Sequence, residues 1–168
     1  MRYCVIDFET TGLSPTMDEV VEFAAVRVAD GEIGLHLSSL CKPSGAIPSS
    51  AVRVHGITDR MVRFADPFSA HLPSLLDFIG EDTLVGHNLS FDMGFLRAAC
   101  EKACLSIQPQ CLCTLQMARS MYPHLPSRAL GELAAFLGVK NDNCHRALGD
   151  AMTTAKILLH MLAVGAGY

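Results

Sequence analysis

The chain has 168 residues and a mass of 18.1 kDa, a size at which roughly 70% of the unfolded surface is buried in one core. With 50% apolar and 18% charged residues, it is neither a disordered nor a low-complexity chain. Its apolar runs are shorter than the roughly 20 residues of a membrane helix, and a net charge of −4 excludes a strongly basic nucleic-acid clamp. We therefore expect a single domain over residues 1–168.

The N-terminal sequence and the cysteines indicate the compartment. The first apolar stretch meets an acid at Asp7, so it is too short for the core of a signal peptide. The seven cysteines are odd in number and follow no export signal, which argues against a disulfide framework. Two cysteine pairs offer a zinc site as a minor alternative, although their spacing is not that of a zinc knuckle. These pairs are Cys100/Cys104 and Cys111/Cys113. We expect a cytoplasmic protein without membrane association.

The first forty residues predict three strands. Residues 3–8 form an apolar run typical of a buried strand. Residues 19–29 are rich in Val, Ala and Phe, and alternating apolar residues follow at 33–37. Because Asp30-Gly31 lies between these last two segments, the pair predicts a β-hairpin. This part of the chain is expected to be an antiparallel meander.

Helices alternate with two short strands in the rest of the chain. A loop is expected at residues 43–50 and a short helical piece around 55–58. Further strands are predicted at Thr83–Gly86 and Cys111–Cys113. Apolar spacing and glycine stops predict helices at residues 68–79, 90–104, 114–121, 128–137 and 146–164. Capping residues for the last two helices are expected at Ser127 and at 141–143, and Gly138 ends the earlier one. The fold class is therefore α/β, a mixed five-stranded sheet flanked by helices.

Four acidic residues are placed beside surfaces that the pattern predicts to be buried. Asp7 and Glu9 lie two residues apart on one strand, so their side chains point to the same face at its end. Asp92 opens a helix, and Asp150 lies in the final helix, five residues after His145. Since five helical residues would leave this pair about 140° apart, we expect His145 in the loop or first turn before that helix.

Each of these acids, taken alone, is more simply a solvated charge or a helix cap. Together they indicate more, because an unpaired buried carboxylate is costly and few basic residues lie near them in the sequence. Ligand sets made of oxygen favour Mg²⁺ or Mn²⁺ over zinc. Two such ions about 3.5–4 Å apart can hold the attacking and leaving oxygens of a phosphodiester, so the acids predict a phosphodiester hydrolase.

Three sequence motifs occur in order along the chain. They are Asp7-Phe8-Glu9-Thr10-Thr11-Gly12, Val85-Gly86-His87-Asn88-Leu89-Ser90-Phe91-Asp92 and His145-Arg146-Ala147-Leu148-Gly149-Asp150-Ala151. They resemble the motifs of the DEDDh family of 3′–5′ exonucleases, which have a ribonuclease H-like fold. The resemblance is closest to the proofreading subunit of bacterial replicative DNA polymerases and its stand-alone relatives.

The resemblance implies catalytic roles for five residues. Asp7, Glu9, Asp92 and Asp150 would hold two Mg²⁺ or Mn²⁺ ions. His145 would be the general base that deprotonates the attacking water, a task that suits an ordinary histidine pKa near 6.5. A structural histidine that caps the helix is the alternative.

Five further residues match family positions around the terminal nucleotide. Thr10 matches a position near the 3′-hydroxyl, and Leu13 matches one that wedges against a base. His55, Asn88 and Phe91 match positions that line the same pocket. Core positions for Leu13 and Phe91 are equally compatible with the sequence.

The function implied is hydrolysis of single-stranded DNA from the 3′ end to nucleoside 5′-monophosphates. An exoribonuclease that processes RNA 3′ ends is one alternative, because the difference lies at the sugar 2′-position. A non-catalytic interaction module is the other. A polymerase or another protein is a candidate partner, although we do not expect docking through a long tail of the kind that the polymerase subunit uses. Near His55, a basic rim or a solvated loop is expected at Arg53, Arg60 and Arg63.

Overall fold

Five strands form one mixed sheet in this computed structural model, which describes residues 1–142 and 144–165. The strands are β1 (Arg2–Thr10), β2 (Val20–Ala29), β3 (Glu32–Leu40), β4 (Thr83–Gly86) and β5 (Cys111–Cys113). Their order across the sheet is β3-β2-β1-β4-β5. The β1/β2 and β2/β3 pairs are antiparallel, whereas β1/β4 and β4/β5 are parallel. The predicted mixed five-stranded sheet is confirmed.

The meander predicted for the first forty residues is also confirmed. Its hairpin turns at Asp30 and Gly31, whose φ angles are 53° and 82°. Positive φ at both central residues is the requirement of a type I′ turn, which matches the twist of the two strands. Across the β1/β2 pair, Glu9 lies directly opposite Glu22 and Asp7 opposite Ala24.

Seven helices follow the meander in the described part of the chain. They are α1 (Ser49–His55), α2 (Asp59–Val62), α3 (Phe68–Ile79), α4 (Ser90–Lys102), α5 (Thr114–Met121), α6 (Leu130–Phe136) and α7 (Ala147–Gly165). Flanking helices on both faces of the sheet agree with the predicted fold class.

Two of the helix predictions are misplaced, α1 begins at Ser49 inside the predicted loop, and α4 ends at Lys102 rather than residue 104. The helical piece expected at 55–58 is wrong, because His55 is the last residue of α1 and Gly56, with φ of 72°, ends that helix in a left-handed conformation. Ser127 does not cap α6, which begins at Leu130 rather than residue 128. The Ser127 hydroxyl instead accepts the N–H of Ala129 at 3.2 Å and forms a turn before the helix.

Alternation along β1 separates two cores. One side packs against α3 and α4 through Cys4, Ile6 and Phe8. The other side, which includes Tyr3 and Val5, packs against α7. Because side chains alternate along a strand, Asp7 and Glu9 point to the α7 side.

The last helix is apolar because it covers the sheet. Among the residues that the structure describes, α7 is the one helix that could cross a membrane by length and composition alone. Of its apolar window, 44% is buried inside the fold. Small residues at the buried positions Ala147, Ala151 and Ala155 let the helix lie close to β1 and β2.

Candidate active site

Three of the predicted acids converge where β1 meets the beginning of α7. Asp7 and Glu9 come from one face of β1, and Asp150 lies in the first turn of α7. Each offers one carboxylate oxygen, and these three oxygens lie within 4.8 Å of one another. Within residues 1–142 and 144–165, this is the one group of three or more His, Cys, Asp or Glu side chains at such spacing, so the alternative zinc cysteines do not form one.

Asp92 reaches the same place from the opposite layer. It lies in the first turn of α4 and is only 4% exposed. Its Oδ1 accepts the backbone N–H of Phe8 at 2.9 Å, between Asp7 and Glu9 in the sequence. The carboxylate therefore joins α4 to β1 and does not cap its own helix.

Burial and mutual repulsion dominate the electrostatics of the acids. The pKa of Asp7 is raised well above its ordinary value, first by burial and then by the charges of Asp92, Asp150, Glu9 and Glu22. Burial raises the pKa of Asp92 to about 8, although backbone hydrogen bonds partly oppose this. Burial and the charge of Asp150 raise the pKa of Glu9 to about 7. Burial and mutual repulsion thus favour the protonated forms of these groups, and a cation would favour the ionised forms.

His145 lies in the loop directly before α7, as predicted. Its φ of 57° turns the backbone so that its N–H donates to Asp150 Oδ2 at 3.0 Å. The residue is exposed, so its imidazole faces solvent beside Asp150. Of the predicted capping segment, Asn143 lies outside the described residues, and Asn141 accepts a hydrogen bond from Thr153 at 3.0 Å.

Glu22 is a buried residue of this region that sequence reasoning missed. Its side chain on β2 accepts the N–H of Ala147 at 2.9 Å and thereby caps the beginning of α7. Arg146 donates to both oxygens of Glu22, from Nε at 3.0 Å to Oε2 and from Nη2 at 2.5 Å to Oε1. Of the few bases expected near the acids, Arg146 compensates Glu22 and also lowers the pKa of Glu9. The sole sequence signal was one acid inside an apolar strand.

Three of the predicted nucleotide-binding residues surround the end of β1. Thr10 is buried, and its hydroxyl donates to the Gly12 carbonyl at 2.5 Å. Leu13 follows on a loop and is 83% exposed, so it is not a core residue. His55 is buried, and its Nδ1 accepts the N–H of Ile57 at 3.0 Å. Burial lowers the pKa of His55, and the nearby Thr10 carbonyl partly opposes this, so a neutral ring is favoured.

The loop that presents Leu13 is held by Asp18. One carboxylate oxygen accepts the N–H of Ser14 at 2.9 Å, and the other accepts the Thr11 hydroxyl at 3.3 Å. A side chain on Gly12 would collide with that carboxylate, since a Cβ there would lie 2.4 Å from Asp18 Oδ2. This packing fixes the path of the loop and leaves Leu13 pointing into solvent.

Of the other two predicted nucleotide-binding residues, Asn88 lies between β4 and α4, and Phe91 lies in the first turn of α4. Asn88 is exposed and has a φ of 68°. Phe91 is half-buried, and its ring centroid lies 5.1 Å from that of Phe95. His87, in the same motif, connects parts of the fold. Its ring nitrogens contact the Thr114 hydroxyl at 3.0 Å and the Arg128 carbonyl at 2.8 Å.

We expect Glu22 and Arg146 to be coupled in stability. Replacing either by alanine leaves a buried charge or a helix N–H without its partner, so each change should destabilise the fold. Urea unfolding of the two single variants and the double variant should give a coupling free energy of about 0.5–3 kcal/mol. The exposed Lys140/Asp142 pair, at 3.2 Å, is the matched control and should give less than about 1 kcal/mol. Strictly additive effects of the Glu22 and Arg146 changes would contradict this role.

Comparison with known proteins identifies relatives of the chain. A family model described as an exonuclease matches residues 4–158. The chain is 38% identical over 154 residues to the PolC-type DNA polymerase III of Listeria innocua. This match covers 91% of this chain and 11% of the polymerase. It is 39% identical over 165 residues to a putative bifunctional exonuclease/endonuclease protein of Mycobacterium tuberculosis, covering 93% of this chain and 26% of that protein. The chain thus spans a small part of the length of these relatives.

Solved structures show the same architecture. Exonuclease X in complex with 5′ overhanging duplex DNA matches with a TM-score of 0.80 and 29% identity, over 99% of this chain and 93% of that one. Escherichia coli exonuclease I in complex with a dT13 oligonucleotide matches with a TM-score of 0.82 and 22% identity, over 94% and 40% of the two chains, which supports the fold. By its matched family, its motifs and its ribonuclease H-like fold, the chain belongs to the DEDDh exonucleases.

Proposed function

We propose that the chain is a metal-dependent 3′–5′ exonuclease that hydrolyses single-stranded DNA ends to nucleoside 5′-monophosphates. The observation that carries the proposal is the convergence of three carboxylate oxygens within 4.8 Å, from Asp7, Glu9 and Asp150. Asp92 adds a fourth carboxylate, which is itself buried and whose charge raises the pKa of Asp7. Membership of the exonuclease family supports phosphodiester hydrolysis as the reaction.

The donor set fits divalent cations. All four side chains offer oxygen ligands. Burial raises their pKa values, and positive charge from outside the chain best stabilises their ionised forms. We assign two Mg²⁺ or Mn²⁺ ions to Asp7, Glu9, Asp92 and Asp150. When bound, such ions supply positive charge to the attacking and leaving oxygens of the phosphodiester.

His145 is the residue best placed to move a proton. Its backbone N–H is bound to Asp150, which positions the loop, while its imidazole remains exposed to water and substrate. As general base, it would take a proton from the attacking water. A structural cap would need its ring to bond the helix, whereas its backbone and Glu22 make those contacts.

The terminal nucleotide would lie over the end of β1. Thr10, His55, Asn88 and Phe91 would surround it, and the exposed Leu13 would separate the last base from its neighbour. Contacts of this kind recognise shape and stacking, so the enzyme should tolerate any base sequence. An unpaired end is required because the terminal phosphodiester must reach the acids, and a complementary strand would hold a paired nucleotide away from them.

The relatives favour DNA over RNA as the substrate. The solved complexes of exonuclease X and exonuclease I contain DNA, and the PolC-type relatives are DNA polymerases. Proofreading beside a polymerase in the cytoplasm is therefore the favoured setting. RNA 3′-end trimming remains the competing substrate class, because the four acids make no distinction at the sugar 2′-position.

The first test compares labelled ends and sugars. With Mn²⁺, 5′-labelled single-stranded DNA should shorten stepwise, whereas 3′-labelled DNA should release a labelled mononucleotide at once. Matched RNA should be hydrolysed more slowly. Asp7→Asn or Asp92→Asn should abolish the reaction, and the exposed control Asp77→Asn should retain it. Mn²⁺-dependent activity in either active-site variant, or release from the 5′ end, would refute the proposed function.

The role of His145 has a separate test. His145→Ala should lower kcat by about 10²–10⁴, the usual effect of removing a general base, while Mn²⁺ still raises the melting temperature. Loss of the Mn²⁺ effect in this variant would instead make His145 a metal ligand. Single-turnover rates and thermal melts with and without Mn²⁺ measure the two properties.

Stability of the metal-free protein should depend on pH with a predictable sign. Because the pKa values of Asp7 and Asp92 are raised above those of the unfolded chain, the folded state binds protons more tightly. The free energy of unfolding should therefore fall as pH rises from about 4 to about 8. Asp92→Asn, which keeps an acceptor for the Phe8 N–H, should reduce that fall, and Mn²⁺ should stabilise the natural chain more at pH 8 than at pH 5.5. Thermal melts that rise steadily over this range without metal would contradict the arrangement.

A further inference from the structure

Three arginines and a phenylalanine are exposed on α1, on α2 and on the residues directly after α2. We call Arg53, Arg60, Arg63 and Phe64 the arginine–phenylalanine patch. All three arginines are exposed, and Phe64 is 90% exposed. The guanidinium carbon of Arg63 lies 5.1 Å from the centroid of the Phe64 ring, so one face of the ring carries a cation and the rest is open to solvent.

Buried residues hold the patch in place. Ile57 and Val62 pack with Val21 of β2 and Ile47 in one small core. The Asp59 carboxylate accepts the N–H of Ile47 at 3.0 Å and fixes the beginning of α2. The exposed Phe64 ring contributes nothing to this core, so folding does not account for it.

Helix α1 carries both a patch residue, Arg53, and His55, which is predicted to line the terminal nucleotide pocket. His55, at the end of α1, lies beside the Thr10 carbonyl at the end of β1. Arg53 is exposed and lies on the same seven-residue helix as the buried His55. We expect a strand whose 3′ end enters the site to pass this helix with its next few nucleotides.

Charge favours nucleic acid as the occupant. Segment 53–63 holds three of the chain's 13 Lys+Arg residues, whereas the chain as a whole has a net charge of −4. In the portion of the chain that the structure describes, these three arginines form no ion pair with a carboxylate. The one acid inside the segment, Asp59, is already engaged by a backbone N–H. Free guanidinium groups bind phosphates, and an open aromatic ring stacks on a base.

We propose that the arginine–phenylalanine patch is a second nucleic-acid contact, which binds phosphates and one base of the single strand on the 5′ side of the scissile bond. The inference rests on the proposed function and extends it. It also explains how an acidic chain retains a polyanion whose end must approach four carboxylates. A protein partner is the competing occupant, and the experiment separates the two.

The test uses two substrates of different length. The p-nitrophenyl ester of thymidine 5′-monophosphate fills the terminal nucleotide site alone, whereas a single-stranded 15-nucleotide DNA also reaches the patch. Changing all three patch arginines to alanine should lower kcat/KM for the oligonucleotide about tenfold at low salt. The slope of log kcat/KM against log salt should fall by about 0.7 for each arginine removed. Hydrolysis of the ester should change less than twofold.

Variants of Phe64 test the stacking contact. Phe64→Ala should lower kcat/KM for the oligonucleotide at least about fivefold, and Phe64→Tyr should restore it because the ring is retained. The matched controls are Arg97→Ala on α4 and Leu35→Ala on β3, both exposed, which should have no effect on either substrate.

Each outcome decides the proposal. Oligonucleotide hydrolysis with unchanged kcat/KM and salt slope in the arginine variant would overturn it and leave a protein as the occupant. An equal loss on the ester would also overturn it, because the effect would then lie in the terminal nucleotide site. If the natural chain hydrolysed neither substrate, the proposed function itself would fail, which is a distinct result.

Discussion

Repulsion among buried carboxylates is the constraint on which this structure depends. The charges of Asp92, Asp150, Glu9 and Glu22 all raise the pKa of Asp7. Backbone N–H groups oppose this repulsion without removing the charges. Phe8 donates to Asp92, His145 to Asp150 and Ala147 to Glu22. These three bonds orient the acids and connect β1, β2, α4 and α7, while the negative charge of the site remains available to cations.

Two glutamates that face each other across β1 and β2 have different surroundings. Glu22 is bound by the Arg146 guanidinium and caps α7, so its charge is compensated inside the protein. Glu9, directly opposite, shares the 4.8 Å group with Asp7 and Asp150 instead. Glu22 therefore supports the fold, because Arg146 and the beginning of α7 contact it. Glu9 is open to a ligand, because its neighbours are two other acids.

The distribution of charge connects the fold with its proposed substrate. A group of four acids repels phosphates until cations bind, so affinity for a strand must come from other surfaces. The arginine–phenylalanine patch offers cations that no carboxylate neutralises in the described residues. With both features, the terminal phosphodiester would contact the metal ions while the arginines bind the preceding nucleotides.

Short-range patterns in the sequence were sufficient for much of the fold. Strand alternation placed Asp7 and Glu9 on one face, Asp30-Gly31 predicted the hairpin, and helical geometry placed His145 before α7. Each of these features depends on residues within about five positions of one another, where backbone geometry alone restricts the choices.

Contacts between distant residues were not accessible in the same way. Glu22 and Arg146 are 124 positions apart, and Asp92 and Phe8 are 84 apart, so nothing local indicates either bond. The beginning of α6 and the division between α1 and α2 were also mispredicted, because Ser127 forms a turn with Ala129 where it was expected to cap the helix, and Gly56 ends α1 where helix was expected. Neighbouring residues determine which backbone conformations are low in energy. The packing of helices on both faces of the sheet determines which buried side chains come into contact.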